Sequence, residues 1–243
     1  MTQTMTATPP AGSTSLAARI PGVLFAPRAT YAQVAASPRW LGAFLMVFLV
    51  TSGAATAFVA TEVGRTAVVD QQIAQAESWG AHLSQAQLDT FEQRSHSYVY
   101  FAPVFQLVGL TFSCLVIAGI AFAVFSALLG GDATFRQVFA VVAHSGVVLA
   151  ALALFTTPLA YARESVSSAT SLAVFVPFLD ESSFVARMLG AIDLIYIWWM
   201  VSLAIGLGVL YRKRTAPIAT SLLVIYASIG LIVAAIKTAM SGV

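Results

Sequence analysis

The sequence is poor in charge and nearly free of cysteine. Charged residues make up 9% of its 243 residues, whereas 59% are hydrophobic and the mean hydropathy is +0.87. So little polar surface cannot cover a water-soluble globule of this length. The lone cysteine, Cys114, excludes an intramolecular disulfide and a cysteine-based zinc site, and we expect it to be a small buried apolar side chain. The composition therefore indicates an integral membrane protein.

Catalytic motifs are also missing. The sequence contains no His-Glu-x-x-His motif of a zinc protease. An intramembrane aspartyl protease needs two opposed carboxylates, and only Asp193 falls inside an apolar stretch. The glycine pair at 130–131 is not a phosphate-binding loop, because the lysine and the flanking strand are absent. We therefore predict no enzyme activity, no catalytic residue and no cofactor.

Five long apolar stretches account for the high hydropathy. A hydrocarbon core ~30 Å thick needs about 20 apolar residues to be crossed by a helix, and each stretch reaches that length. Backbone polar groups must be satisfied within each segment, and the stretches lack the alternation of barrel strands, so only helices fit. The sequence predicts an all-α membrane domain over 40–243. Its five transmembrane helices are expected at about 40–61, 103–129, 137–161, 187–211 and 216–240.

Basic residues lie mainly on one side of these helices. The leader before the first helix, the second gap between helices and the fourth gap hold seven of the twelve basic residues. The other gaps are longer and more acidic. The positive-inside rule therefore places the N-terminus in the cytoplasm and the C-terminus outside. Because the basic residues are dispersed and form no single face, we expect no nucleic-acid binding.

The leader divides into two parts. Residues 1–15 are typical of a disordered tail, without the basic n-region of a signal peptide. Residues 16–39 mix apolar and basic side chains, and Pro27 can occupy the first turn of a helix. We expect this segment to lie at the cytoplasmic membrane surface and to contact anionic headgroups. A helix that docks a protein is the alternative, and the sequence does not separate the two. The basic residues of the segment are Arg19, Arg28 and Arg39.

The first outer loop, 62–101, is the largest polar segment. Its apolar spacing predicts two helices separated by Gly80, the second one capped by Ser84 and Gln87. We expect them to form a helical hairpin over the outer membrane surface. Asp89, Glu92 and His96 share one face of the second helix, which can bind a metal ion. Such faces are usually solvated and no ligand motif is present, so we assign no metal.

Two ionisable residues fall inside predicted spans, where a charge is costly. His144 lies about 10 Å beyond the cytoplasmic start of the third helix, and Asp193 about 9 Å below the outer start of the fourth. Their depths differ by about 10 Å, so we expect no direct pair. Asp193 is expected at the interface, paired with Arg187 or Arg163, if the apolar span starts at Ala191. His144 is expected to join helices by a hydrogen bond rather than to relay protons.

Three groups of residues follow one another in a recognisable order. They are the leader 22–31 with Trp40, the turn 130–137 with the following residues 138–143, and the late stretch 197–207. Together with five helices, this order resembles the Yip (Ypt-interacting protein) family in its bacterial branch, over almost everything after Arg19. The resemblance implies a five-helix fold and membrane residence. Eukaryotic members of that family are linked to Rab-type GTPases and vesicle traffic, whereas the bacterial members offer no settled activity and no catalytic residue.

These features favour a membrane-organising or partner-binding protein. Such a role needs only surface helices and helix faces with small residues, and its partners would be the lipid bilayer and another membrane protein or a second copy. A small transporter or channel component that uses His144 and Asp193 is the alternative, although no inverted repeat is evident. Because arginine outnumbers lysine and alanine is abundant, we expect a bacterial inner (plasma) membrane as the location.

Overall fold

A computed structural model describes residues 15–180 and 183–240 of the chain. Most of these residues are helical, and the only extended pairing among them is an isolated bridge between Ser171 and Asp193. The predicted all-α class is therefore confirmed. The predicted tail, apart from Ser15, lies outside the described residues. The helices are α1 Leu16–Phe25, α2 Pro27–Ala36, α3 Trp40–Val59, α4 Glu62–Ser78, α5 Gln85–Ser95, α6 Tyr98–Phe122, α7 Phe135–Ser145, α8 Val147–Ala162, α9 Phe184–Gly190, α10 Leu194–Leu210 and α11 Thr215–Met240.

Four helical segments of the described chain are long and apolar enough to cross a membrane, judged by length and composition. They are α3, α6 with a π-helical continuation at Ala123–Leu128, α7 with α8 as one span interrupted at Gly146, and α11. α10 is apolar but has only 17 residues. The chain is therefore a membrane protein, and the predicted count of five spans is not confirmed.

The fourth predicted span is not continuous, which corrects the expected bounds of 187–211. α9 ends at Gly190, the backbone becomes extended at Asp193, and α10 begins only at Leu194. The reason is local hydrogen bonding. The Leu172 N–H donates to Ile192 O at 2.9 Å, and the Leu194 N–H donates to Thr170 O at 3.0 Å. These bonds hold the segment in the bridge instead of letting it continue as helix.

Several helix ends follow from local signals in the sequence. α2 begins at Pro27, as predicted, because proline lacks the N–H that this position leaves unpaired. Thr134 with Gln137 forms a capping box for α7, and Ser84 with Gln87 forms the predicted one for α5. The chain turns at Gly80 and Gly130, both with positive φ, where a residue without Cβ is unstrained.

The leader packs into the protein. α2 lies against α7 and α10, and α1 against α2, α3, α7 and α8. The side chains of Tyr31 and Val34 are fully buried and belong to the main hydrophobic core. The sequence predicts that apolar side chains of this segment enter the lipid interface, whereas these two enter the helix bundle.

The predicted outer loop forms α4 and α5, which contact each other. The Tyr98 hydroxyl at the start of α6 donates to Gln72 Oε1 of α4 at 3.0 Å. α4 also touches the end of α11, where Lys237 donates to Gln75 and lies 5.3 Å from the ring centre of Trp79. These contacts fix the two loop helices against the ends of the long helices.

Candidate functional site

Buried polar side chains gather where the leader meets the bundle. Tyr31 of α2 is 0% exposed, and its hydroxyl lies 2.8 Å from Ser202 Oγ of α10, itself buried. Burial raises the pKa of Tyr31 above its ordinary value, and the hydrogen bond to Ser202 opposes this only in part. Because each hydroxyl satisfies the other away from water, the pair links the leader to α10 in a specific register.

Close packing surrounds this pair. A Cβ at Gly206 would lie 2.5 Å from Val141 Cγ1 and 3.0 Å from the ring of Tyr31. α10 can therefore approach α2 and α7 this closely only with glycine at that position. One turn before Ser202 in α10, the Trp199 indole N–H donates to Ser145 Oγ of α7 at 3.0 Å.

The turn between the second and third spans joins the same assembly. The Gln137 side-chain amide donates to Ala35 O of the leader at 3.0 Å. The Tyr211 hydroxyl lies 2.8 Å from Ser126 Oγ, and its ring stacks on Phe125 with centroids 5.0 Å apart. The leader, this turn and α10 thus form one connected cluster. Tyr31, Gln137, Ser202 and Gly206 of this cluster belong to the three groups of residues whose order carries the family resemblance.

His144, one of the predicted intramembrane polar residues, lies beside this cluster. Its side chain is 1% exposed, and Nδ1 is 2.7 Å from Ala140 O in the same helix. Since the carbonyl can only accept, Nδ1 carries the proton and Nε2 is left as an acceptor. Nε2 has no partner within the described residues. The expected hydrogen bond from His144 to another helix is therefore not observed.

The three arginines predicted to contact headgroups have different surroundings. Arg19 is only 3% exposed, its Nη1 donates to Ser37 O at 3.2 Å, and its Nε has no partner in the described chain. Burial, with Arg39 nearby, lowers the pKa of Arg19. Arg28 and Arg39 are exposed, and Arg28 Nη2 donates to Thr215 Oγ1 at 3.3 Å.

Asp193, the other predicted intramembrane residue, caps α10. Its carboxylate accepts from the Ile195 N–H at 2.8 Å and from the hydroxyls of Ser168 and Thr170. Its own N–H donates to the Tyr226 hydroxyl at 3.0 Å. These partners are all neutral, and the expected pairs with Arg187 or Arg163 are not formed. No contact in the described chain joins Asp193 to His144.

A cleft extends from Asp193 into the membrane-spanning part. Its volume is about 550 Å³, and α3, α6 and α8 line its deep part. The loop 166–170 and the first residues of α10 line its outer part. In its wall the Gln106 amide donates to Thr51 Oγ1 at 3.1 Å.

The loop helices contain no assembled metal site. Glu62, Asp70, Glu92 and His96 line a cavity of about 310 Å³ between α4 and α5. Nevertheless, no three histidine, cysteine or acidic side chains come together as metal ligands anywhere in residues 15–180 and 183–240.

Sequence reasoning missed the residues that hold the leader in place. Tyr31 and Ser202 are not predicted as site residues, because an aromatic residue in a surface helix and a serine in an apolar run fit many positions. The sequence does contain one signal of close helix packing, because the small residues Ser202 and Gly206 lie four residues apart on one face of α10.

Comparison with known proteins identifies the family. The family model of the Yip1 domain matches residues 22–236, which covers most of the chain. No curated protein and no solved structure matches it significantly. The matched range runs from the leader through α11 and contains the whole cluster described above. This chain belongs to the Yip family of integral membrane proteins.

Proposed function

We propose that this chain is a non-enzymatic membrane protein that binds a protein partner on the outer face of its leader. The observation that carries the proposal is the two-sided leader. Its inner face is locked into the bundle by Tyr31 and Val34, whereas Phe25 is 85% exposed and Arg28 is exposed beside it. An exposed aromatic ring next to a cation on a rigid helix pair is suited to partner binding.

We further propose that α10 is the fourth of five spans. Its 17 apolar residues extend about 26 Å, close to the thickness of the hydrocarbon core. It packs against α7, α8 and α11, so its backbone is buried in protein on several sides. Five crossings put the leader and the C-terminal end of α11 on opposite sides. α4 and α5 then form a hairpin on the outer surface.

The charge distribution supports a cytoplasmic leader in a bacterial inner membrane. In this arrangement the exposed Arg39, immediately before α3, contacts anionic headgroups, whereas Arg28 belongs to the partner-binding surface. Arg19 has a different role, because its buried guanidinium donates to Ser37 O and fastens α1 to the end of α2.

The transporter alternative depends on the cleft and on the unpartnered Nε2 of His144. Ion or solute flux into reconstituted vesicles separates the two functions. We expect no flux from the unmodified protein, whereas flux that disappears in His144→Ala or Asp193→Asn would establish transport.

Site-specific photocrosslinking in native membranes tests partner binding. A photoreactive residue at Phe25 should capture a defined protein partner, and the same residue at Val34, which is 0% exposed, should not. A probe at Phe112, which is 68% exposed on the membrane span α6, controls for random collisions in the bilayer. Equal products at Phe25 and Phe112 would contradict a specific partner site on the leader.

A further inference from the structure

The cleft beside Asp193 combines an apolar channel with a negatively charged mouth. Val47, Leu110 and Leu149 line its deep end, and Asp193, Thr157 and Tyr196 line its outer end. From Val47 to the end of α3 at Val59 the chain advances twelve residues, or about 18 Å along the helix. The volume of about 550 Å³ lies in the range of small-molecule sites. An elongated cleft with a mainly apolar wall suits a hydrocarbon chain.

The charge at the mouth defines the group that fits there. Asp193 is 9% exposed. Its carboxylate accepts hydrogen bonds from two hydroxyls and one backbone N–H. No cation lies within ion-pair distance of Asp193 in the described chain. A buried carboxylate with only neutral partners attracts a cationic ligand. The ring of Tyr196, 48% exposed in the same wall, offers a second attraction for an ammonium group.

The depth of Asp193 matches that of a lipid headgroup. Asp193 precedes the first residue of the apolar helix α10, so with α10 as the proposed fourth span it lies near the boundary of the hydrocarbon core. Arg163 lines a neighbouring cavity of about 510 Å³, and Ser168 lines both this cavity and the cleft, so a guanidinium is available beside the mouth for a lipid phosphate. An ammonium at Asp193, a phosphate near Arg163 and a chain in the cleft together describe one zwitterionic phospholipid.

We propose that this cleft binds an ammonium-bearing phospholipid, with one acyl chain between α3, α6 and α8 and the ammonium group at Asp193 and Tyr196. The site is separate from the outer face of the leader, so it does not depend on the proposed partner binding, but it rests on α10 being the proposed fourth span. The lipid comes from the leaflet on the Asp193 side.

Binding of defined lipids to the delipidated full chain in detergent tests this proposal. Phosphatidylethanolamine and phosphatidylglycerol with identical acyl chains are compared by retention in native mass spectrometry and by thermal shift. We expect phosphatidylethanolamine to bind at least about tenfold more tightly, because only it supplies a charged hydrogen bond to the carboxylate. Equal binding of the two lipids would overturn the proposal. Binding of a long-chain alkylamine without binding of phosphatidylethanolamine would also overturn it, since the ligand would then be a free cationic amphiphile.

Variants separate the ligand contacts from folding. Asp193→Asn keeps a capping side chain, so the fold should persist while the preference for phosphatidylethanolamine disappears. Asp70→Asn removes an exposed carboxylate of α4 away from the cleft and should bind like the unmodified protein. Tyr196→Leu should weaken phosphatidylethanolamine binding and Tyr196→Phe should restore it, because phenylalanine keeps the aromatic face. Unchanged preference in Asp193→Asn would refute the assigned position of the ammonium group.

Discussion

The hydroxyl of Tyr31 lies 2.8 Å from that of Ser202, although 171 positions separate them in the chain. Tyr31 belongs to the leader and Ser202 to the middle of α10. Both are buried, so neither hydroxyl has water as a substitute partner. The pair therefore makes the leader part of the membrane domain, and the outer face of the leader becomes a rigid surface.

Breaking this pair one partner at a time should destabilise the protein. Tyr31→Phe leaves Ser202 buried without its partner, and Ser202→Ala does the same to Tyr31. We expect each to lower the free energy of unfolding by about 1–3 kcal/mol, measured by thermal or denaturant unfolding in detergent. The double variant should lose less than the sum of the two single variants. Additive losses would show that the two hydroxyls do not interact.

Gly206 should tolerate no side chain. Gly206→Ala places a methyl group 2.5 Å from Val141 Cγ1, which forces α10 away from α7 and α2. We expect a loss of about 1–3 kcal/mol in unfolding free energy and faster proteolysis of the leader. Gly53→Ala is the matched control, because a Cβ there meets nothing within 4 Å. Partial rescue of Gly206→Ala by Val141→Ala would locate the clash, and equal behaviour of Gly206→Ala and Gly53→Ala would contradict it.

Tyr31 should make stability fall at alkaline pH. Burial raises its pKa in the folded protein above the value of about 10 found in unfolded chains. The folded state therefore keeps the proton where the unfolded state releases it, so this contribution is complete below about pH 10 and is lost as pH rises further. We expect a steeper alkaline loss of stability in the unmodified protein than in Tyr31→Phe. A phenolate absorbance difference between the two that appears near pH 10 before unfolding would refute a buried Tyr31.

Removal of the Asp193 carboxylate should weaken the start of α10. Asp193→Ala loses the cap on the Ile195 N–H and leaves Ser168 and Thr170 without their acceptor. We expect a loss of about 0.5–2 kcal/mol in unfolding free energy, and a smaller one for Asp193→Asn, since asparagine also caps helices. If alanine and asparagine were equally disruptive, a contact other than the cap would hold this junction.

The helical class and several helix ends could be predicted from the sequence, because they depend on local rules. Long apolar runs predict spans, and Pro27 and the Ser84 to Gln87 pair act on their own neighbours. The family was also predictable from the order of the matching segments, and the Yip1 domain match confirms it.

The position of the leader and the break before α10 could not be predicted in this way. Hydropathy is the same for a side chain that faces lipid and one that faces protein, so Tyr31 and Val34 gave no sign of their burial in the bundle. The apolar residues 191–192 read as a continuation of helix, and it is distant partners, namely Thr170, Leu172 and Tyr226, that bind this segment and interrupt the helix. Both outcomes depend on contacts between residues far apart in sequence.

The most direct test of the account is the side of the membrane on which each end of the bundle lies. In a Cys114→Ser background, single cysteines replace Ser78 in the loop helix α4 and Lys213 between α10 and α11. Intact cells are treated with a membrane-impermeant thiol reagent, with lysed cells as the accessibility control. Five spans with a cytoplasmic leader predict labelling at position 78 only, and equal labelling of both positions in intact cells would contradict it.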